Sequence, residues 1–101
     1  MKMLVITAVQ SYQEEIVSVL KNSNIHAFSS TNVLGHVNHN DPNLDDNWFG
    51  GDVQNYQSIL YFALLPETQL DQVFEAVEKI NEKAQSQSKI HLSVMGVERT
   101  N

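Results

Sequence analysis

The sequence of 101 residues contains no cysteine, two prolines, four glycines and a single tryptophan. Without cysteine there is neither a disulfide framework nor a thiolate metal site, which fits a reducing compartment. The main apolar stretches, residues 3–9 and 58–65, fall far short of the about 20 residues that a membrane-spanning helix needs, and no small-residue cleavage pattern follows the first. A soluble, cytoplasmic chain that is not membrane-embedded and carries no signal peptide is the expectation. Positive charge is scarce as well: six Lys and Arg stand against twelve Asp and Glu, for a formal charge of −6. No Lys or Arg occurs between residues 22 and 78, where Asp41, Asp45, Asp46, Asp52, Glu67, Asp71, Glu75 and Glu78 all lie. Such a stretch repels phosphate backbones, so nucleic acid is excluded as a partner. Also missing are a nucleophile elbow and any triad pattern in a recognisable context, so nothing requires an enzyme and none is expected.

What is present reads as one domain, residues 1–101, just large enough to form a core without staples. Ser11 opens a sequence-level capping box with Glu14, and Tyr12, Ile16, Val19 and Leu20 then share one helical face until Asn22-Ser23-Asn24 ends the helix. After Pro66, Thr68 is the candidate cap of a second helix, along which Leu70, Val73, Phe74, Val77 and Ile80 recur at helical spacing. Residues 3–9 and 58–65 are almost continuously apolar, as strands covered on both faces are. Residues 25–34 and 90–95 mix polar and apolar side chains, as edge strands do. The predicted order is β-α-β-β-α-β. Right-handed crossovers with the two apolar strands in the centre give an α+β, ferredoxin-like sandwich with an antiparallel sheet ordered 4-1-3-2.

Two features go beyond that fold. Two helices cover only one face of a four-stranded sheet, yet the central strands are apolar on both, with Val5 and Val9 opposing Leu4 and Ile6. An open face of this kind is normally buried against another surface, and another copy of the chain supplies one. The second feature is the connection between strands two and three, residues 36–56. Ordinary loops have about 4–6 residues, and those beyond about 12–15 are usually functional or disordered. This one carries turn formers, the pair Gly50-Gly51, and the two large aromatics Trp48 and Phe49.

With these elements placed, the chain resembles the PII signalling family along its whole length. The element order matches, and the long connection stands where the family has its T-loop. Thr31-Asn32-Val33-Leu34-Gly35 resembles the strand that leads into that loop, residues 70–77 (LDQVFEAV) resemble the second helix, and Lys89-Ile90-His91-Leu92-Ser93 resembles the run that opens the last strand. The resemblance implies a homotrimer whose sheets face a central axis and whose inter-subunit cleft binds a small ligand. It also implies a regulatory T-loop that docks on a membrane transporter or an enzyme. Carried onto this chain, the ligand-binding positions are Gly35, Val37, Lys89 and Arg99. The chain departs from the family in the loop before the last strand. Glycines cradle phosphate there in the family, and here the loop reads Gln85-Ser86-Gln87-Ser88-Lys89. An adenine nucleotide or a divalent metal ion remains a candidate ligand, but a site of the family's usual ATP or ADP type is not expected.

His36 and His39 form H-x-x-H at the mouth of the long loop with carboxylates just beyond. Imidazole and carboxylate suit zinc, copper or nickel, and two loop histidines in water is the competing reading. This pair is the basis of a second functional reading, a metal-responsive PII-like or CutA-like protein linked to heavy-metal efflux. Trp48 and Phe49, with Gly50 and Gly51 as hinge, are candidates for contacting a partner or for ordering the loop itself. A small dimeric ferredoxin-like enzyme is the third reading.

Overall fold

The computed structural model describes residues 1–36, 55–84 and 88–101. Among the described residues the strands and α-helices follow in the order β1 (Lys2–Val9), α1 (Gln13–Asn22), β2 (Ser29–His36), β3 (Asn55–Leu65), α2 (Leu70–Lys83) and β4 (His91–Gly96). All neighbouring strands are antiparallel, and the sheet is ordered β2-β3-β1-β4, the arrangement expected from the sequence. The two continuously apolar strands, β1 and β3, occupy the centre.

Residues paired across an antiparallel ladder share a face. Leu4, Ile6 and Ala8 face Ala63, Tyr61 and Ile59 on one side of the sheet, and the helices close over them. From α1 come Ile16, Val19 and Leu20, and from α2 Leu70, Val73 and Val77. Leu92 and Val94 of β4 complete this core at its edge. The other face carries Met3, Val5, Thr7 and Val9 of β1 beside Leu64, Phe62, Leu60 and Ser58 of β3. Val33 of β2 and His91, Ser93 and Met95 of β4 flank them.

The helix starts differ from the sequence reading. A 3-10 turn, Gln10–Tyr12, precedes α1, and another, Glu67–Gln69, precedes α2. Ser11 and Thr68 therefore sit inside these turns, and no side-chain cap bond forms at either start. The end of α1 is better defined. Asn24 adopts φ 62°, and Ile25 N–H bonds to Leu20 C=O at 2.9 Å while Asn24 N–H bonds to Lys21 C=O at 3.1 Å. This is a Schellman closure, with Ile25 and Leu20 both in the core as its apolar contact. The closure turns the chain into an irregular approach over residues 25–28, so β2 begins at Ser29 rather than at Ile25. β3 begins three residues before Ser58, at Asn55.

Candidate functional site

The strand directions bring one end of β2, β3 and β4 together. β2 finishes at Gly35-His36, β3 starts opposite at Asn55, and β4 starts at His91 opposite Thr7. Gly35 is buried and His36 exposed. Lys89, exposed, precedes β4 at this same end of the sheet. Of the expected ligand positions, the fold thus carries Gly35, on β2, and Lys89, just before β4, to one end of the sheet. Arg99 is three residues beyond Gly96, where β4 finishes opposite Lys2, so within a protomer Lys89 and Arg99 flank opposite ends of β4. Val37, His39, Trp48, Phe49, Gly50 and Gly51 lie outside the described residues. Among the described residues no group of three potential metal ligands gathers, and His36 ends β2 on the helix-side row of the sheet.

The backbone leading into β4 is held by two side chains to which the sequence reading gives no such role: it places Tyr12 only on a helical face and does not name Asn81. Tyr12, at the start of α1, donates its hydroxyl to Ser88 C=O at 3.1 Å. Asn81, in the last turn of α2, bonds Ile90 twice: its Nδ2 donates to Ile90 C=O at 2.9 Å, and its Oδ1 accepts from Ile90 N–H at 2.9 Å. An amide has one donor and one acceptor end, so this double contact fixes its orientation. Asn81 follows Val77 by one turn and so stands on the edge of α2's apolar stripe. A polar residue at such a position is the sequence signal that could have found it.

Ile90 is buried in the core, and His91 therefore emerges on the opposite face of the sheet. Burial pushes the pKa of His91 below its ordinary value, and the Lys89 charge lowers it further. Two buried hydroxyls in the sheet lack hydrogen-bond partners among the described residues. Ser58 lies on the open face beside Val9 and Val33, and Tyr61 lies under the helices.

The open face is graded along the strands. Thr7 and Ser58, near the Lys89 end, are buried, whereas Phe62, Leu64 and Met95 at the other end are 38 %, 52 % and 49 % exposed. These three neighbour Met3 and Val5 in the registers, which makes one continuous apolar patch. On the helical side, a groove of about 540 Å³ is lined by Gln13, Glu14, Val17, Ser18, Lys21 and Asn22.

No protein-family model matches the chain, and no curated protein matches it. Solved structures do. CPII, a nitrogen regulatory PII-like protein from Thiomonas intermedia K12 bound to ADP, AMP and bicarbonate, is 16% identical with a TM-score of 0.64, over 99% of this chain and 94% of that one. CPII bound to ADP and bicarbonate is 17% identical with a TM-score of 0.62, over 97% of this chain and 88% of that one. A third form, with ADP, AMP and acetate, is 13% identical with a TM-score of 0.63, over 97% and 88% of the two chains. At these identities the likeness establishes the fold. The resemblance read from the sequence holds at that level.

Proposed function

We propose that the chain acts as one domain and is a regulatory protein of PII type rather than an enzyme. It assembles as a homotrimer through the open sheet face and works in the cytoplasm. Between copies it binds a small ligand near Gly35, Val37 and Lys89, with Arg99 brought there by a neighbouring copy, and segment 36–56 passes the signal to a transporter or an enzyme. The observation that carries the reading is the apolar patch of Phe62, Leu64 and Met95, exposed around half-buried Met3 on a face that neither helix covers. The fold likeness to CPII supports it, and the ligands of those structures name the first candidates to try: ADP, AMP and bicarbonate.

The experiment pairs light scattering with a thermal-shift screen of these three compounds. The reading expects a threefold assembly, and a melting temperature that rises with at least one of them by mass action. A stable monomer at micromolar concentration overturns it. Deleting residues 40–54 should leave the assembly intact and abolish partner capture. Loss of the fold on that deletion would make the segment structural and the signalling reading wrong.

A further inference from the structure

Lys89 stands between two anchored backbone positions. On one side Ser88 is tied to Tyr12, in the 3-10 turn before α1, and on the other Ile90 is tied twice to Asn81 of α2. The Asn81 amide takes both polar groups of Ile90 as a neighbouring strand would, one residue before the β1–β4 ladder begins at His91. The Ile90 side chain is itself locked in the core, so its residue is fixed in position and in rotation about the chain. Lys89 precedes β4 at the end of the sheet where Gly35 lies, whereas Lys2 lies at the opposite end.

We infer that Asn81, seconded by Tyr12, is a positioning residue: it sets where the Lys89 ammonium stands relative to His91 and to the end of the sheet where β2 finishes. A lysine carries its charge on a flexible stem, and the directional information at such a site must come from the backbone that presents it. Here that backbone is fixed from the helical layer, on the far side of the sheet from the open face. The part of the inference that concerns a ligand rests on the reading proposed above.

The test begins without any ligand. His91 is titrated by NMR in the wild type, Lys89→Met, Asn81→Ala and the double variant. Removing the Lys89 charge raises the His91 midpoint when Asn81 is present, and raises it by less than half as much when Asn81 is replaced. A role confined to stability would leave this coupling unchanged. Asn81→Asp keeps the acceptor for Ile90 N–H but loses the donor, and Tyr12→Phe loses one bond only. Both run through the same comparison in case Asn81→Ala fails to fold. In a second arm, ADP is titrated calorimetrically with bicarbonate present. Asn81→Ala weakens ADP about tenfold, the scale at which supporting residues act on bound groups, with the mass of the assembly unchanged. Equal Lys89→Met shifts in both backgrounds overturn the inference, as does ADP affinity within about twofold of wild type in Asn81→Ala. Failure of the wild type to bind ADP refutes a nucleotide ligand, and the His91 coupling then decides the positioning role by itself.

Discussion

Tyr61→Phe removes one oxygen atom from the core and should make the protein more stable. Tyr61 is 2% exposed, its hydroxyl has no hydrogen-bond partner among the described residues, and its ring lies 6.1 Å from that of Phe28 at a tilt of 54°. In water the hydroxyl is hydrogen-bonded, so folding strips it of partners at a cost of about 1–3 kcal/mol. Phenylalanine keeps the ring and its packing, and the void left by one oxygen takes back part of the gain. The net expectation is about 1 kcal/mol, or a rise of about 4–8 °C in melting temperature for a domain of this size. Both proteins must be compared at one concentration, because the proposed assembly would couple the midpoint to it. A second signature is the alkaline limb. Burial raises the Tyr61 pKa above 10.0 in the folded state, so above about pH 10 the unfolded phenol ionises first and draws the equilibrium toward unfolding. Wild-type stability should fall as pH rises through that range, and the variant should lose this component. A variant destabilised by about 1 kcal/mol or more, with an unchanged alkaline decline, would mean that the hydroxyl has a partner after all and would refute the reasoning.

The remaining predictions concern the open face, the β4 start and the α1 terminus. Leu64→Asp places an unpaired charge among Met3, Phe62 and Met95 and should reduce the assembly to protomers while circular dichroism keeps the native signature. An assembly of unchanged mass would exclude this face as the contact. His91 has a folded pKa below its ordinary 6.5, so the unfolded chain binds the proton more readily and stability should be lost as pH falls below about 6.5. Denaturation midpoints for His91→Gln across pH 5–7 should lack that slope, and equal slopes would remove His91 as its source. Asn24 holds φ 62°, so Asn24→Ala should cost about 1 kcal/mol in chemical denaturation whereas Asn24→Gly should be close to neutral.

The layout was legible because each element repeats its message along its length. Residues 3–9 and 58–65 are apolar at both parities and could only be central, and β1 and β3 are central. The stripes of Ile16, Val19 and Leu20, and of Leu70, Val73 and Val77, named the faces that the helices bury. Single-residue signals did worse. Ser11 and Thr68 have the right chemistry to cap, but the chain enters each helix through a 3-10 turn that consumes the position, a choice made by packing rather than by propensity. The mixture of polar and apolar side chains over residues 25–34 reads as one edge strand, yet the Schellman turn at Asn24 fixes the direction of residues 25–28 first. The candidate site was read only in part. Lys89 and Gly35 reach the same end of the sheet, whereas the separation of Lys89 from Arg99 follows from antiparallel pairing and shows only once the register is known. Asn81 was missed because its partners are backbone atoms nine residues away, and no side-chain pattern reports those.

In the proposed reading, the grading of the open face divides assembly and ligand binding between the two ends of the strands. Exposed apolar area is concentrated at Phe62, Leu64 and Met95, and hydrophobic association scales with the area removed from water, so the drive for the proposed assembly would come chiefly from that end of the strands. Gly35, Lys89 and His91 stand at the other end, where Thr7 and Ser58 are already buried within the protomer. The tethers from Tyr12 and Asn81 that hold the backbone beside Lys89 come from the helical layer and take nothing from the apolar patch. In the proposed reading, then, neutralising Lys89 should weaken ligand binding and leave the oligomer whole. Charging Leu64 should dissociate the oligomer and leave the Asn81–Ile90 contacts in place. If either change produced the other's effect, the two ends of the sheet would be one site, and the separation argued from exposure would fail.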